Sequence, residues 1–261
     1  MKEEFPICDV LAENPARFCA ALAVAPTLAP HSRQPQFSTP SEKYRSGTLI
    51  FVRSGGRSFG ITCWHVIETL RKANSETGKL HQLRKMLNGF YVVLDRFVRA
   101  NPPFGAGALD IAIRELSPEF AKALGKVEIQ IDDAPEPAEI RFGFAVGFPE
   151  NLKRRLDEKE GHRVSMPQCE VTAEIERQPE RRFSLFSQVR REDVAHEDFS
   201  GMSGGPIFWS EANRFGIYGI VYEGGVTSAS SESAEIFLYG ELATPAVIRE
   251  WIQQVNPLKF D

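Results

Sequence analysis

Cysteine is scarce: four among 261 residues, at Cys8, Cys19, Cys63 and Cys169. No two form a CxxC pair, which argues against a structural zinc site, and no metal or organic cofactor is expected. Their scatter offers no disulfide framework. Four free thiols point to a reducing compartment, so a cytoplasmic location is expected. A basic excess is also lacking. Lys and Arg number 31 against 35 Asp and Glu, a net charge of −4. A dedicated nucleic-acid binder normally has the opposite balance, so no nucleic-acid partner is expected. No apolar run approaches the roughly 18 residues that cross a bilayer. The longest, Phe18 to Ala29, is broken by Pro26 and follows Glu3, Glu4, Asp9 and Glu13. A secretory leader would be positive there, so neither a membrane partner nor a signal peptide is expected.

What the chain does have points to strands. Its 17 Pro and 20 Gly argue against a helical bundle, and its 19 Phe suit half-buried strands. Residues 1–45 read as an extension interrupted by Pro15, Pro26, Pro30, Pro35 and Pro40, with a short helix over 10–24. Gly47–Val52 and Ser58–Cys63 read as strands joined by a glycine hairpin turn at Ser54–Arg57. A short helix over 66–71 and a polar, locally basic insertion over 71–89 follow. Ser117-Pro118-Glu119 reads as a helix start, and Asp132–Glu139 as a linker between two lobes. Further strands are expected at 91–94, 109–116, 140–148, 169–175, 182–189, 206–209, 216–222 and 236–239. Thr244-Pro245 opens a final amphipathic helix to about Val255, burying Val247, Ile248, Trp251 and Ile252. Many short strands with turn signals give an all-β sandwich or barrel.

Three segments carry chemistry. In Phe199-Ser200-Gly201-Met202-Ser203-Gly204-Gly205-Pro206, glycines flank a serine just before a strand. A nucleophilic serine needs a tight turn that projects its Oγ and aims backbone N–H groups at a developing oxyanion. Thr62-Cys63-Trp64-His65 ends a strand with a histidine at the corner into a helix, where a general base can be held firmly. Leu109-Asp110-Ile111 sets one acid in an apolar strand, which is costly unless the carboxylate is paired. Asp95 is a rival, but Arg96 beside it gives it a simple surface reading.

Together these residues, in the order His, Asp, Ser, resemble the trypsin-like (chymotrypsin-fold) serine peptidases over roughly residues 46–255. The resemblance implies two packed six-stranded antiparallel β-barrels with a C-terminal helix, one over about 46–130 and the other over about 140–243. It implies a serine endopeptidase acting on a polypeptide substrate, with His65, Asp110 and Ser203 as its triad. The oxyanion hole would come from Gly201, Met202 and Ser203. By the same resemblance, Tyr222 and Gly224 supply backbone hydrogen bonds to an extended peptide, and Glu197 and Glu223 lie near the primary pocket, where a carboxylate favours Lys or Arg.

Secreted digestive relatives carry Asp just before the serine, where this chain has Met202. That departure, and the lack of a disulfide bracket at His65, match the bacterial Deg/HtrA-like pattern, as does Ala145–Pro149. An activating protein partner is expected from the same departure. The remaining histidines, His31, His81, His162 and His196, read as surface residues, with His196 near the serine in sequence. The competing reading is a non-catalytic interaction module on the same fold.

Overall fold

The computed structural model describes residues 6–26, 46–77, 81–84, 91–92, 96–101, 109–134, 140–152, 154–155, 164–177, 181–193, 199–228, 230 and 232–255. Helix α1 (Asp9–Glu13) and a 3-10 turn (Pro15–Phe18) lead into strand β1 (Cys19–Pro26). The first lobe continues with β2 (Ser46–Ser54), β3 (Arg57–Cys63), α2 (Trp64–Thr77), β4 (His81–Arg84), β5 (Tyr91–Val92), β6 (Val98–Arg99), β7 (Ile111–Leu116), α3 (Phe120–Ala123) and β8 (Ile129–Gln130). These strands form one sheet in the order β5-β4-β1-β2-β3-β7-β6, with β8 parallel to β2. The second lobe contains β9 (Phe142–Gly147), a small β10 (Arg154–Arg155) and β11 (Val164–Ser165) ribbon, then β12 (Cys169–Arg177), β13 (Arg182–Arg190), β14 (Pro206–Glu211), β15 (Arg214–Ser228) and β16 (Ser233–Leu242). Six of them close a barrel in the order β12-β13-β16-β15-β14-β9. Helix α4 (Pro245–Ile252) ends the described chain. The architecture is thus all-β and two-lobed, as the resemblance implies. Among the described residues the first lobe is an eight-stranded sheet, and only the second closes on itself.

Local chemistry explains the joints. Gly55 and Gly56 take φ of +55° and +74° in the β2–β3 turn, a region open to glycine without steric cost. Thr244 caps α4 by accepting from the Val247 N–H, and Pro245 occupies its first turn, where no N–H is needed. The apolar stripe of α4 buries Val247, Ile248, Trp251 and Ile252 in the same core that holds Phe51, Phe59, Ile61 and Ile113 of the first lobe. Arg249 locks that helix with an Nη1–H bond to the Ile131 carbonyl at 2.6 Å. The expected helix start at Ser117 is displaced: α3 begins at Phe120, and Ser117 contributes only its carbonyl to the turn before it. Helix α2 is longer than the expected 66–71.

The helix expected over 10–24 is the main correction. Only Asp9–Glu13 is α-helical, and Cys19–Pro26 is a strand between β2 and β4. Leu11, Phe18, Cys19 and Leu22 are at most 5% exposed. The Phe18 ring meets Phe208 and Phe215 of the second lobe, with centroids 5.7 and 5.3 Å away. This part of the extension is therefore built into both lobes. Deleting residues 1–45 is expected to remove a sheet strand and several fully buried side chains, each of which contributes about 1.5–3 kcal/mol. The expected result is loss of the cooperative unfolding transition, read by circular dichroism during heating; a truncated chain that melts like the full one would refute it.

Candidate active site

The site forms where the two lobes meet. Strands β3 and β7 pair directly, with Cys63 opposite Ile111. His65 lies just past the end of β3 and Asp110 just before β7, so the pairing brings them together. The His65 backbone N–H donates to Asp110 Oδ1 at 2.8 Å. His65 Nδ1 lies 2.5 Å from Asp110 Oδ2. The Trp64 N–H donates to the Asp110 carbonyl at 3.0 Å. One carboxylate thus fixes both the main chain and the ring of His65. The imidazole remains half exposed. Asp95, the rival acid, lies outside the described residues.

The serine loop is clamped from both lobes. The Thr48 N–H donates to the Ser203 carbonyl at 2.8 Å, and Thr48 Oγ1 to the Gly201 carbonyl at 3.0 Å. Thr62 Oγ1 in turn donates to the Thr48 carbonyl at 2.7 Å. From the barrel side, the Gly204 N–H donates to the Val221 carbonyl at 2.7 Å, and the Val221 N–H to the Gly205 carbonyl at 2.9 Å. The Ser200 carbonyl accepts from the Glu150 N–H at 2.6 Å, which fixes the orientation of the Ser200–Gly201 peptide. Gly201 and Gly204 have φ of +97° and +89°. A Cβ at Gly201 would lie 2.6 Å from the Phe148 carbonyl oxygen. The glycines are there because the turn needs their backbone and the neighbours leave no room for a side chain.

Two of the three expected oxyanion donors, the N–H groups of Gly201 and Ser203, are without a partner among the described residues. The Met202 N–H donates to the Phe199 carbonyl at 3.0 Å, so Met202 is not available as a donor. Its side chain is fully buried in the barrel core, against Gly147. The Ser203 hydroxyl donates to the Tyr222 carbonyl at 3.1 Å. His65, Ser203, Gly201 and Ser200 share a cleft of about 250 Å³ whose other walls include Leu22 and Val66.

Of the expected substrate contacts, Tyr222 sits at a register shift between β15 and β16, a bulge that turns its carbonyl toward Ser203. Its ring stacks on Tyr239 at 6.0 Å, under the Arg182 guanidinium at 5.2 Å. Gly224 follows on the same strand, half-buried, while Glu223 is exposed. Glu197 and three of the remaining histidines (His31, His162 and His196) lie outside the described residues. His81 begins β4.

Residues that sequence reading missed hold the centre in place. Thr48 and Thr62 are wholly buried, and the available signal was a threonine inside each apolar strand. Glu241 is 1% exposed, with the Arg182 Nε–H at 3.4 Å. Burial pushes its carboxyl above the usual range, Arg182 pulls it back, and the charge of Asp110 adds to the rise. Burial, and then the same Asp110 charge, push the Cys63 thiol well up.

No protein-family model matches the chain. No curated protein matches it either. Among solved structures it is similar to a thermostable serine protease from an extremophilic microorganism, at 12% identity and TM-score 0.44, covering 92% of this chain and 98% of that one. It is also similar to the protease Anisep from Arthrobacter nicotinovorans, at 12% identity and TM-score 0.42, covering 97% of each chain. A third likeness is to a human pathogenic astrovirus serine protease, at 11% identity and TM-score 0.38, covering 87% of this chain and 91% of that one.

Proposed function

We propose that the protein is a serine endopeptidase that cleaves polypeptides through an acyl-enzyme intermediate. The observation that carries this reading is one cleft holding three things: an imidazole fixed by a carboxylate, a serine on a glycine turn, and two N–H groups beside it that have no partner among the described residues.

The chemistry follows from the proton positions. Asp110 accepts from Nδ1–H, so the lone pair of His65 is on Nε2, where it acts as general base. Ser203 Oγ attacks the scissile carbonyl as its proton passes to Nε2. The carbonyl oxygen becomes negative and is met by the Gly201 and Ser203 N–H groups, whose direction is set before substrate arrives. Asp110 stabilises the imidazolium, which then protonates the leaving amine. Water repeats the steps to release the acyl group.

Tyr222 couples binding to activation. At rest its carbonyl accepts the hydrogen bond of the Ser203 hydroxyl. An extended peptide laid along β15 through Tyr222 and Gly224 offers a backbone N–H to that carbonyl. The serine hydroxyl is then released to turn toward His65. This is how we account for a serine hydroxyl that rests on the Tyr222 carbonyl, and an activating partner would act by favouring the same turn. Burial of Met202 supports a loop held by apolar packing rather than by the ion pair of secreted relatives, in line with the Deg/HtrA-like pattern.

Incubating the protein with an unfolded polypeptide and sequencing new termini by mass spectrometry tests the reading. New termini are expected from the wild type and none from Ser203→Ala. A non-catalytic interaction module would yield no new termini from either, and would keep its binding in the variant.

A further inference from the structure

The fold brings together what sequence spacing keeps apart. Cys63 Sγ, a His65 ring nitrogen and an Asp110 carboxylate oxygen all lie within 4.8 Å of one another. Cys63 lies under the catalytic pair, fully buried, with its S–H donating to the Val221 carbonyl at 3.2 Å. The peptidase chemistry above gives this thiol no task. We infer that Cys63, His65 and Asp110 form a zinc-binding site whose occupation switches the catalytic pair off. The inhibitory consequence rests on the serine peptidase reading, whereas the metal site does not.

The donor set is suited to zinc. Thiolate, imidazole and carboxylate are its usual ligands, and three protein ligands leave the fourth position of a tetrahedral ion for water. One thiolate and one carboxylate balance the double charge of the ion, so its burial leaves no net charge unpaired. Bonds of about 2.0–2.3 Å place tetrahedral ligand atoms roughly 3.3–3.6 Å apart. The 2.5 Å Nδ1–Oδ2 contact must therefore open by about 0.8 Å, and the sulfur must close in by at most about 1.3 Å. The half-exposed imidazole can make its part of that move, and Asp110 Oδ1 keeps its bond from the His65 N–H.

The proton balance explains the inhibition. The thiol proton leaves to solvent as the Zn–S bond forms. Zinc takes the Nδ1 lone pair, so the imidazole proton is carried on Nε2 instead. That nitrogen is then a donor and cannot accept from Ser203. No electron changes hands.

The test uses the full chain, stripped with a chelator and dialysed, then titrated with Co²⁺ and with Zn²⁺. One equivalent of Co²⁺ is expected to give a near-ultraviolet thiolate-to-cobalt charge-transfer band, which Zn²⁺ displaces. Cys63→Ser should abolish the band. His65→Ala, which removes a half-exposed ring, should weaken binding at least about tenfold. Cys169→Ser, at the most exposed thiol described, should leave the band intact. Fluorophosphonate labelling of the wild type should fall at least about tenfold with one equivalent of Zn²⁺ and return with chelator. A folded wild type without the band overturns the site, as does a band that survives Cys63→Ser or disappears in Cys169→Ser. A Cys63-dependent band in a protein that never labels supports the metal site and defeats the peptidase reading alone.

Discussion

Asp110→Asn is expected to slow acylation of Ser203 by about 10⁴-fold with the fold intact. The reason lies in the two bonds the carboxylate makes. Its Oδ1 accepts from the His65 main-chain N–H and its Oδ2 from the ring. Asparagine offers one oxygen and one NH2 group. The main-chain N–H can only donate, so it claims the oxygen and leaves the NH2 facing Nδ1. The ring must then accept at Nδ1 and carry its proton on Nε2, which removes the base from the serine. The opposite orientation sets two donors against each other at the main chain. Labelling rates with a fluorophosphonate, compared at matched folded concentration, read the effect. A loss below about tenfold would mean that the tautomer does not matter and that His65 is not the base.

The second large effect is structural. Gly204→Ala is expected to cost at least about 4 kcal/mol of stability, from a strained positive φ and severe overpacking together. Its Cβ would lie 2.1 Å from the Thr48 carbonyl oxygen and 2.4 Å from Thr62 Oγ1. Neither is the loose end of a flexible chain. Thr48 is the group that grips the serine loop from the first lobe, so relieving the clash releases the loop. Gly56→Ala is the control: its φ is +74°, but nothing lies within 4 Å of its Cβ. It should cost only about 1–2 kcal/mol, the price of a left-handed conformation. Urea unfolding of both variants measures the difference, and equal midpoints would show that the Thr48 contact carries no weight.

Much of this site was legible because its chemistry is local. The glycine turn around Ser203, the strand-end position of His65 and the lone acid of an apolar strand each left a mark within a few residues. So did the helix cap at Thr244, whose side chain meets an N–H three residues on. What stayed hidden depends on partners far along the chain. The segment Cys19-Ala20-Ala21-Leu22-Ala23 is rich in alanine and reads as helix on intrinsic preference. It becomes a strand because β2 and β4 satisfy its backbone on both sides. Thr48 and Thr62 look like ordinary strand residues until the serine loop, over 100 residues later, is laid against them. Met202 shows the limit at the site itself. Its position in the serine loop is legible, but the direction of its N–H is decided by the turn to Phe199.

In the proposed mechanism Ser203 is a nucleophile activated by the His65–Asp110 pair. Fluorophosphonate labelling with the modified residue located by mass spectrometry tests it most directly. One adduct is expected, on Ser203, in the wild type and none in Ser203→Ala. A folded, metal-free wild type that takes up no label, or takes it up on another residue, would contradict it.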